Sequence, residues 1–152
     1  VKSSDQLAPE SLLLSDYLCF AVYSANLAFG KAYKRILEEL GLTYPQYITI
    51  VALWEEDNQT VSSLGAKLFL ESNTLTPMLK KLEAMGYLER QRDPGDERQV
   101  RISLTKSGRR LCEEALKMDP VETGLASDEF AHVQSAVVKL RNNLIKSIQS
   151  GE

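Results

Sequence analysis

Apolar residues recur at three- and four-residue spacing along most of this chain and switch to alternation once, between Tyr87 and Leu104. The first spacing predicts helices and the second a pair of strands. From Leu12 to Leu40 the apolar positions run nearly all round, through Leu18, Phe20, Val22, Leu27, Phe29 and Ile36. A helix this apolar must be covered on more than one face, and a second copy of the chain is the economical cover. Ser11 or Ser15 is expected to cap it and Gly41 to end it. Val1 to Glu10 is polar, carries Pro9 and predicts a loose start.

Thr43 or Tyr44 caps a second predicted helix, with Pro45 near its first position and an apolar face of Tyr47, Ile48, Ile50, Val51, Leu53 and Trp54. Thr60 to Leu68 reads as a short amphipathic helix, and Phe69-Leu70-Glu71 as a tight turn. In the next helix Leu75, Met78, Leu79, Leu82 and Met85 share one face. Ser72 and Asn73 are expected N-caps, and Gly86 fits the stop. Pro77 near the first turn loses at most about one hydrogen bond. Two alternating runs follow, Tyr87 to Arg92 and Gln99 to Leu104, joined by Asp93 to Arg98. A short helix, a turn, a second helix and a charged hairpin compose a winged helix-turn-helix.

The polar face of the second helix of that pair shows Asn73, Thr74, Thr76, Pro77, Lys80 and Lys81. Short polar groups at its N-terminal end suit base edges in a major groove, and lysines further along suit phosphates. An ordinary solvated face has the same composition. The hairpin tips the balance, because Arg90, Arg92, Arg98 and Arg101 crowd a short ribbon whose tip can enter an adjacent minor groove. Asp93, Asp96 and Glu97 could equally hold those arginines in position.

After the hairpin, Thr105-Lys106-Ser107-Gly108 opens a helix to about Met118, and Asp119-Pro120 breaks it. Ser127 is expected to cap a last helix with Asp128 and Glu129 in its first turn and a stripe of Val133, Val137, Leu140, Leu144 and Ile148. The predicted fold is mainly α with a small β wing. It is one domain over 1–152, with residues 43–105 as the winged helix-turn-helix. Residues 11–41 and 106–150, the two chain ends, form a helical dimerisation region.

The 152 residues, 43% hydrophobic and 26% charged, suit one globular domain. A formal net charge of −3 argues against indiscriminate nucleic-acid binding. Its distribution is uneven: Thr60 to Arg110 holds 10 Lys+Arg against 6 Asp+Glu, and the remainder 8 against 15. A modest basic surface therefore falls on the winged-helix segment. No leader or membrane-spanning stretch is visible, and the expected compartment is the cytoplasm. One histidine and two cysteines, widely spaced, offer no metal cluster, and no cofactor is expected.

No Gly-rich phosphate loop or nucleophile elbow points to an enzyme. His132 reads as a surface residue. Cys112, beside Leu111, Ala115 and Leu116, reads as a core cysteine. Cys19 lies early in the long helix. A reactive thiol needs neighbours that favour the thiolate. No Lys, Arg or His lies within one helical turn of it, and Asp16 works against it. The helix N-terminus and donors from elsewhere are the remaining sources, and composition alone favours a core cysteine.

Four blocks, in order, carry a resemblance: Leu18 to Ser24, Leu42 to Tyr47, Thr74 to Lys80, and Asp96-Glu97-Arg98 with Leu104-Thr105. Together they resemble the MarR-type transcription regulators, and within them the organic-hydroperoxide-sensing (OhrR-type) branch, over roughly Leu18 to Gly108. The resemblance implies a homodimeric repressor that binds a double-stranded inverted-repeat operator and releases it on oxidation. Cys19 matches the sensing cysteine. Tyr33 and Tyr44 match the tyrosines that hydrogen-bond that thiol from the partner subunit, and Tyr23 sits nearby in the same pattern. Ser72, Asn73, Thr74 and Thr76 match groove-reading positions, and Asp96 and Arg98 the wing. An organic hydroperoxide would convert Cys19 to a sulfenic acid, which condenses with a thiol or a backbone nitrogen.

Two departures matter. Recognition helices of the branch usually open Asp-Ser-Gly or Asp-Ser-Ala, and this one opens Glu71-Ser72-Asn73. Two-cysteine members carry a resolving cysteine after the fifth helix, and Thr123 to Ala126 holds none. The chain therefore reads as a one-cysteine sensor that needs a low-molecular-weight thiol. The competing readings are a MarR-type repressor released by a small aromatic ligand, a general oxidative-stress or virulence regulator, a winged helix used for protein contacts, and a thiol peroxidase using Cys19.

Overall fold

The computed structural model describes residues 13–151. The expected loose start, a cap at Ser11 and a helix start at Leu12 lie outside the described residues. The chain divides into two compact units, Val1–Asp119 and Pro120–Glu152.

In the first unit a single 3₁₀ turn, Leu14–Asp16, precedes helix α1, Leu18–Leu40. The expected continuous helix is therefore shorter at its start. Tyr17 is extended and serves as N-cap without a side-chain bond, so Ser15 does not cap α1. The reason is local: the Asp16 carboxylate accepts from the Leu13 amide at 3.4 Å and the Tyr17 amide bonds to Leu14, which closes the turn on itself. Within α1 only Ile36 and Leu40 are buried.

Helix α2, Tyr44–Glu55, starts as expected. Thr43 Oγ1 accepts from the Gln46 amide, and Gln46 Oε1 accepts from the Thr43 amide at 2.9 Å. Its buried side includes Gln46 and Thr49 as well as Ile50, Ala52 and Leu53, while Trp54 is exposed. Strand β1 (Gln59–Thr60), helix α3 (Val61–Leu68), helix α4 (Ser72–Ala84), strands β2 (Leu88–Asp93) and β3 (Asp96–Leu104) and helix α5 (Lys106–Leu116) follow. The three strands form one antiparallel sheet in the order β1-β3-β2. With α2, α3 and α4 this is the winged helix-turn-helix the pattern predicts.

Three details differ from the sequence reading. Strand β1 was not anticipated, since two residues carry no alternation. The hairpin connection shrinks from six residues to the pair Pro94-Gly95, because Asp93 Oδ1 accepts from the Gly95 amide at 2.9 Å and closes the turn. Helix α4 begins at Ser72 with Glu71 as N-cap and no side-chain cap bond, so Ser72 and Asn73 occupy its first turn instead. Gly86, at φ 88°, ends α4 as expected: its amide bonds to Glu83 and that of Tyr87 to Leu82.

The core of this unit gathers Ile50, Leu53, Leu64, Leu75, Leu79, Leu82, Leu88 and Ile102. In the second unit helix α6 spans Ser127–Ser150. Ala126, not Ser127, is its N-cap, because Glu129 Oε1 accepts from the Ala126 amide at 3.1 Å. None of the α6 residues is buried, and Phe130, Val133, Val137, Leu144 and Ile148 are exposed.

Candidate functional site

Two sets of side chains stand out, one around a thiol and one on the winged helix. Cys19 is the second residue of α1 and is exposed. It therefore lies among the unsatisfied amides of a helix N-terminus, the end with positive partial charge. Tyr23 follows one turn later on the same face, its ring 6.4 Å from Phe20. Tyr33 lies 14 residues beyond Cys19 on the same helix, which is about 21 Å of axial rise. It meets Tyr44, the first residue of α2, edge to face with ring centroids 5.3 Å apart. The structure thus brings Tyr33 and Tyr44 together and keeps both far from the Cys19 of their own chain. Sequence reasoning missed a third member, Tyr47, whose ring lies 6.1 Å from Tyr33 and 6.3 Å from Tyr44. Its i+3 spacing from Tyr44 was the available signal. Burial raises the phenol pKa of both Tyr44 and Tyr47, and neighbouring phenols add to it, so both remain hydroxyl donors at neutral pH.

Cys112 is buried on α5, with its sulfur 3.9 Å from the Ile50 carbonyl. Burial pushes its thiol up to about 11, which leaves it protonated and unreactive at neutral pH. It lines an apolar cavity of about 120 Å³ together with Tyr47, Ile50, Trp54 and Leu111.

On the winged helix, Leu75, Leu79 and Leu82 anchor α4, and Ser72, Asn73, Thr74, Pro77 and Lys80 are exposed along it, with Thr76 half-exposed. Pro77 lies inside the helix in its second turn. Gly65 lets α3 approach the turn before α4, where a Cβ would come within 2.7 Å of the Leu70 carbonyl oxygen. Arg90 is committed to Glu83 of α4 at 2.9 Å, which ties β2 to that helix. Arg92 donates to the Glu97 carbonyl at 2.7 Å across the hairpin. At the tip, Asp96 Oδ1 accepts from both the amide and Nε of Arg98 at 3.1 Å, and these bonds hold the Asp96 carboxyl below the usual range. The Arg98 side chain is 90% exposed, so its charge is aimed but not covered. Asp96 therefore positions Arg98, and Asp93 likewise holds Arg101, as the sequence allowed.

Sequence reasoning also missed Asp57 and Gln59, which have no periodic signal. Asp57 bonds to Leu104 and Arg109, and buried Gln59 donates to the carbonyls of Ala52 and Glu56. Among the described residues no group of His, Cys, Asp or Glu is placed to hold a metal ion, and no helix is long and apolar enough to cross a membrane.

Comparison with known proteins agrees with this geometry. Residues 31–115 match the family described as transcriptional regulator SarA/Rot. The HTH-type transcriptional regulator TtmR of Methylorubrum extorquens is 46% identical over 142 residues, covering 90% of this chain and 70% of that one. The organic hydroperoxide resistance transcriptional regulator of Bacillus subtilis is 38% identical over 138 residues, covering 89% and 94%. Among solved structures, reduced AbfR of Staphylococcus epidermidis bound to DNA has a TM-score of 0.78 at 37% identity, over 91% of this chain and 99% of that one. Disulfide-formed AbfR has a TM-score of 0.63 at 36% identity, over 92% and 95%. With a buried helix-turn-helix core, a three-stranded wing and these relatives, the chain belongs to the SarA/Rot family of MarR-like winged-helix transcriptional regulators.

Proposed function

We propose that this chain is a homodimeric DNA-binding repressor that releases its operator when Cys19 is oxidised by an organic hydroperoxide. The observation that carries the reading is the spacing within α1. Cys19 is exposed at one end, and the Tyr33–Tyr44 pair lies about 21 Å further along, so these tyrosines can serve only the Cys19 of another copy. The exposed apolar side chains of α1, among them Leu18, Val22, Leu27 and Phe29, favour such pairing, and the α6 stripe offers a further apolar face. The relatives support the chemistry: one is named for organic hydroperoxide resistance, and another has been solved both reduced on DNA and in a disulfide-formed state.

In this reading the Cys19 thiolate attacks the terminal peroxide oxygen. The O–O bond breaks, sulfur is oxidised to a sulfenic acid, and the alkoxide leaves and takes a proton to become an alcohol. A low-molecular-weight thiol then displaces water from the sulfenic acid and leaves a mixed disulfide. Tyr33 and Tyr44 of the partner subunit hold the reduced sulfur, with Tyr23 beside it. A larger oxidised sulfur displaces them, and Tyr44 opens the helix that leads into the DNA-binding module. On DNA, Ser72, Asn73, Thr74, Thr76 and Pro77 of α4 meet base edges and Lys80 a phosphate. Arg92 and Arg98 reach the neighbouring backbone and minor groove, with Arg90 and Asp96 positioning the ribbon. Cys112 stays outside the chemistry.

The test is fluorescence anisotropy of a labelled inverted-repeat duplex before and after cumene hydroperoxide, with and without a small thiol. Peroxide plus thiol is expected to release the DNA fully, and peroxide alone only in part. DNA that stays bound under both conditions refutes the redox reading. Many turnovers of peroxide per protein would make the chain a peroxidase instead. The apolar cavity beside Tyr47 and Trp54 favours a second reading, release by a small aromatic ligand, which needs no Cys19.

A further inference from the structure

One carboxylate braces the base of the wing. Asp57 lies between α2 and β1, and its two oxygens serve different elements. Oδ1 accepts from the Leu104 amide at the end of β3 at 2.9 Å, and Oδ2 accepts from Arg109 Nη2 of α5 at 2.6 Å. The next residue, Asn58, sits at φ 56° and its carbonyl accepts from Arg101 Nη1 at 2.9 Å. Arg101 Nε in turn donates to Asp93 Oδ2 at 3.2 Å, and the other oxygen of Asp93 closes the hairpin turn. A continuous polar path thus runs from α5 through Asp57 and Arg101 to the wing tip.

The sheet explains why the base matters. Strand β1 pairs with β3 only at Ile102 and Arg101. Beyond Arg101 the β1 pairing has ended and the hairpin continues as a two-stranded ribbon, a form that twists more than a wider sheet and is marginally stable by itself. Arg98 stands three residues beyond that root, inside the irregularity where Arg92 pairs with Val100 and Asp93 with Asp96. A small tilt at Asp57 therefore moves the Arg98 guanidinium by a distance that matters to a groove contact.

We infer that Asp57, together with Arg109, is a positioning residue that sets the angle at which the wing presents Arg98 to DNA. The inference rests on the proposed DNA-binding role of Arg98. The test is a double-mutant cycle by fluorescence anisotropy, using a duplex that wild type selects from a pool of inverted repeats. Asp57→Asn keeps an oxygen for the Leu104 amide but loses the charge that holds Arg109, and Arg109→Ala removes the same pair from the other side. Each is expected to weaken binding about tenfold, and Asp57→Asn to cost under about twofold once Arg98 is already alanine. Thermal midpoints measured alongside check that both variants remain folded. Tighter binding by Asp57→Asn would mean that Asp57 only neutralises Arg109, and the inference would fall. It would also fall if Asp57→Asn and Arg109→Ala bound as wild type, or if the penalty were unchanged in the Arg98→Ala background. If Arg98→Ala itself binds as wild type, the wing reading fails first.

Discussion

Tyr33 of α1 and Tyr44 of α2 meet edge to face at 5.3 Å and 68°. The contact joins the helix that carries Cys19 to the helix that enters the DNA-binding module. In the proposed mechanism a change at this pair reaches α2 through Tyr44, its first residue.

Cys19→Ser is expected to bind DNA and ignore organic hydroperoxide, because serine keeps the shape and accepts the same hydrogen bonds but forms no sulfenic acid. Cys112→Ser is expected to respond as wild type. Oxidation must favour the released state by about 2.7 kcal/mol to cut affinity a hundredfold. Anisotropy with and without peroxide checks both variants. Full release of Cys19→Ser by peroxide would refute the assignment, and loss of release in Cys112→Ser would point to a two-cysteine mechanism.

Arg98→Ala is expected to weaken DNA binding by about 1–3 kcal/mol, since its guanidinium is aimed by Asp96 yet exposed. Lys80→Ala acts through a phosphate and should flatten the salt dependence by about one unit of slope. Titrations at several salt concentrations separate the two effects. If neither variant differs from wild type at physiological salt, the docking of α4 and the wing is wrong.

The DNA-binding unit is expected to be a two-fold dimer whose half-site centres lie about one helical turn, or a multiple, apart. Sedimentation equilibrium at micromolar concentration and footprinting on an inverted repeat check this. Monomer throughout would contradict it.

Stability is expected to fall as pH rises from about 9 to about 11, and Cys112→Ala to flatten that fall. The folded Cys112 thiol holds its proton up to about 11, whereas the unfolded thiol loses it near 9. The unfolded state therefore binds fewer protons in this window and gains relative to the fold, by at most about 2.7 kcal/mol. Denaturant melts of the two proteins at pH 8 and pH 10.5 give the difference.

Gly108→Ala is expected to destabilise the fold by about 1–3 kcal/mol, at the upper end because the new Cβ would meet a backbone carbonyl rather than a side chain that can turn away. A Cβ there would overlap the Tyr87 carbonyl, which already accepts from the Thr105 amide at 3.1 Å. A drop in the thermal midpoint with unchanged peroxide reactivity of Cys19 is the expected pattern.

Much of this architecture was written in local pattern. The Leu75–Leu79–Leu82 spacing identified α4 and its buried face, and Pro45 with Thr43 or Tyr44 before it placed the start of α2 to within one residue. The alternation of Val100, Ile102 and Leu104 placed the second strand of the wing. These signals survive because each depends on neighbours within one or two turns of chain. Helix starts were less legible. Ser15, Ser72 and Ser127 all have capping chemistry, yet Tyr17, Glu71 and Ala126 cap, because the 3₁₀ turn before α1, the turn after Phe69 and the Glu129 carboxylate decided where each helix could begin. What only the tertiary structure decided is which distant groups meet. Tyr47 joins Tyr33 and Tyr44, Asp57 reaches Leu104 and Arg109 across 47 and 52 residues, and Arg90 is taken by Glu83. Such contacts depend on how elements pack rather than on any period along the chain. Composition, by contrast, already held Cys112 to the core, and the fold supplied the reason in the burial that keeps its thiol protonated.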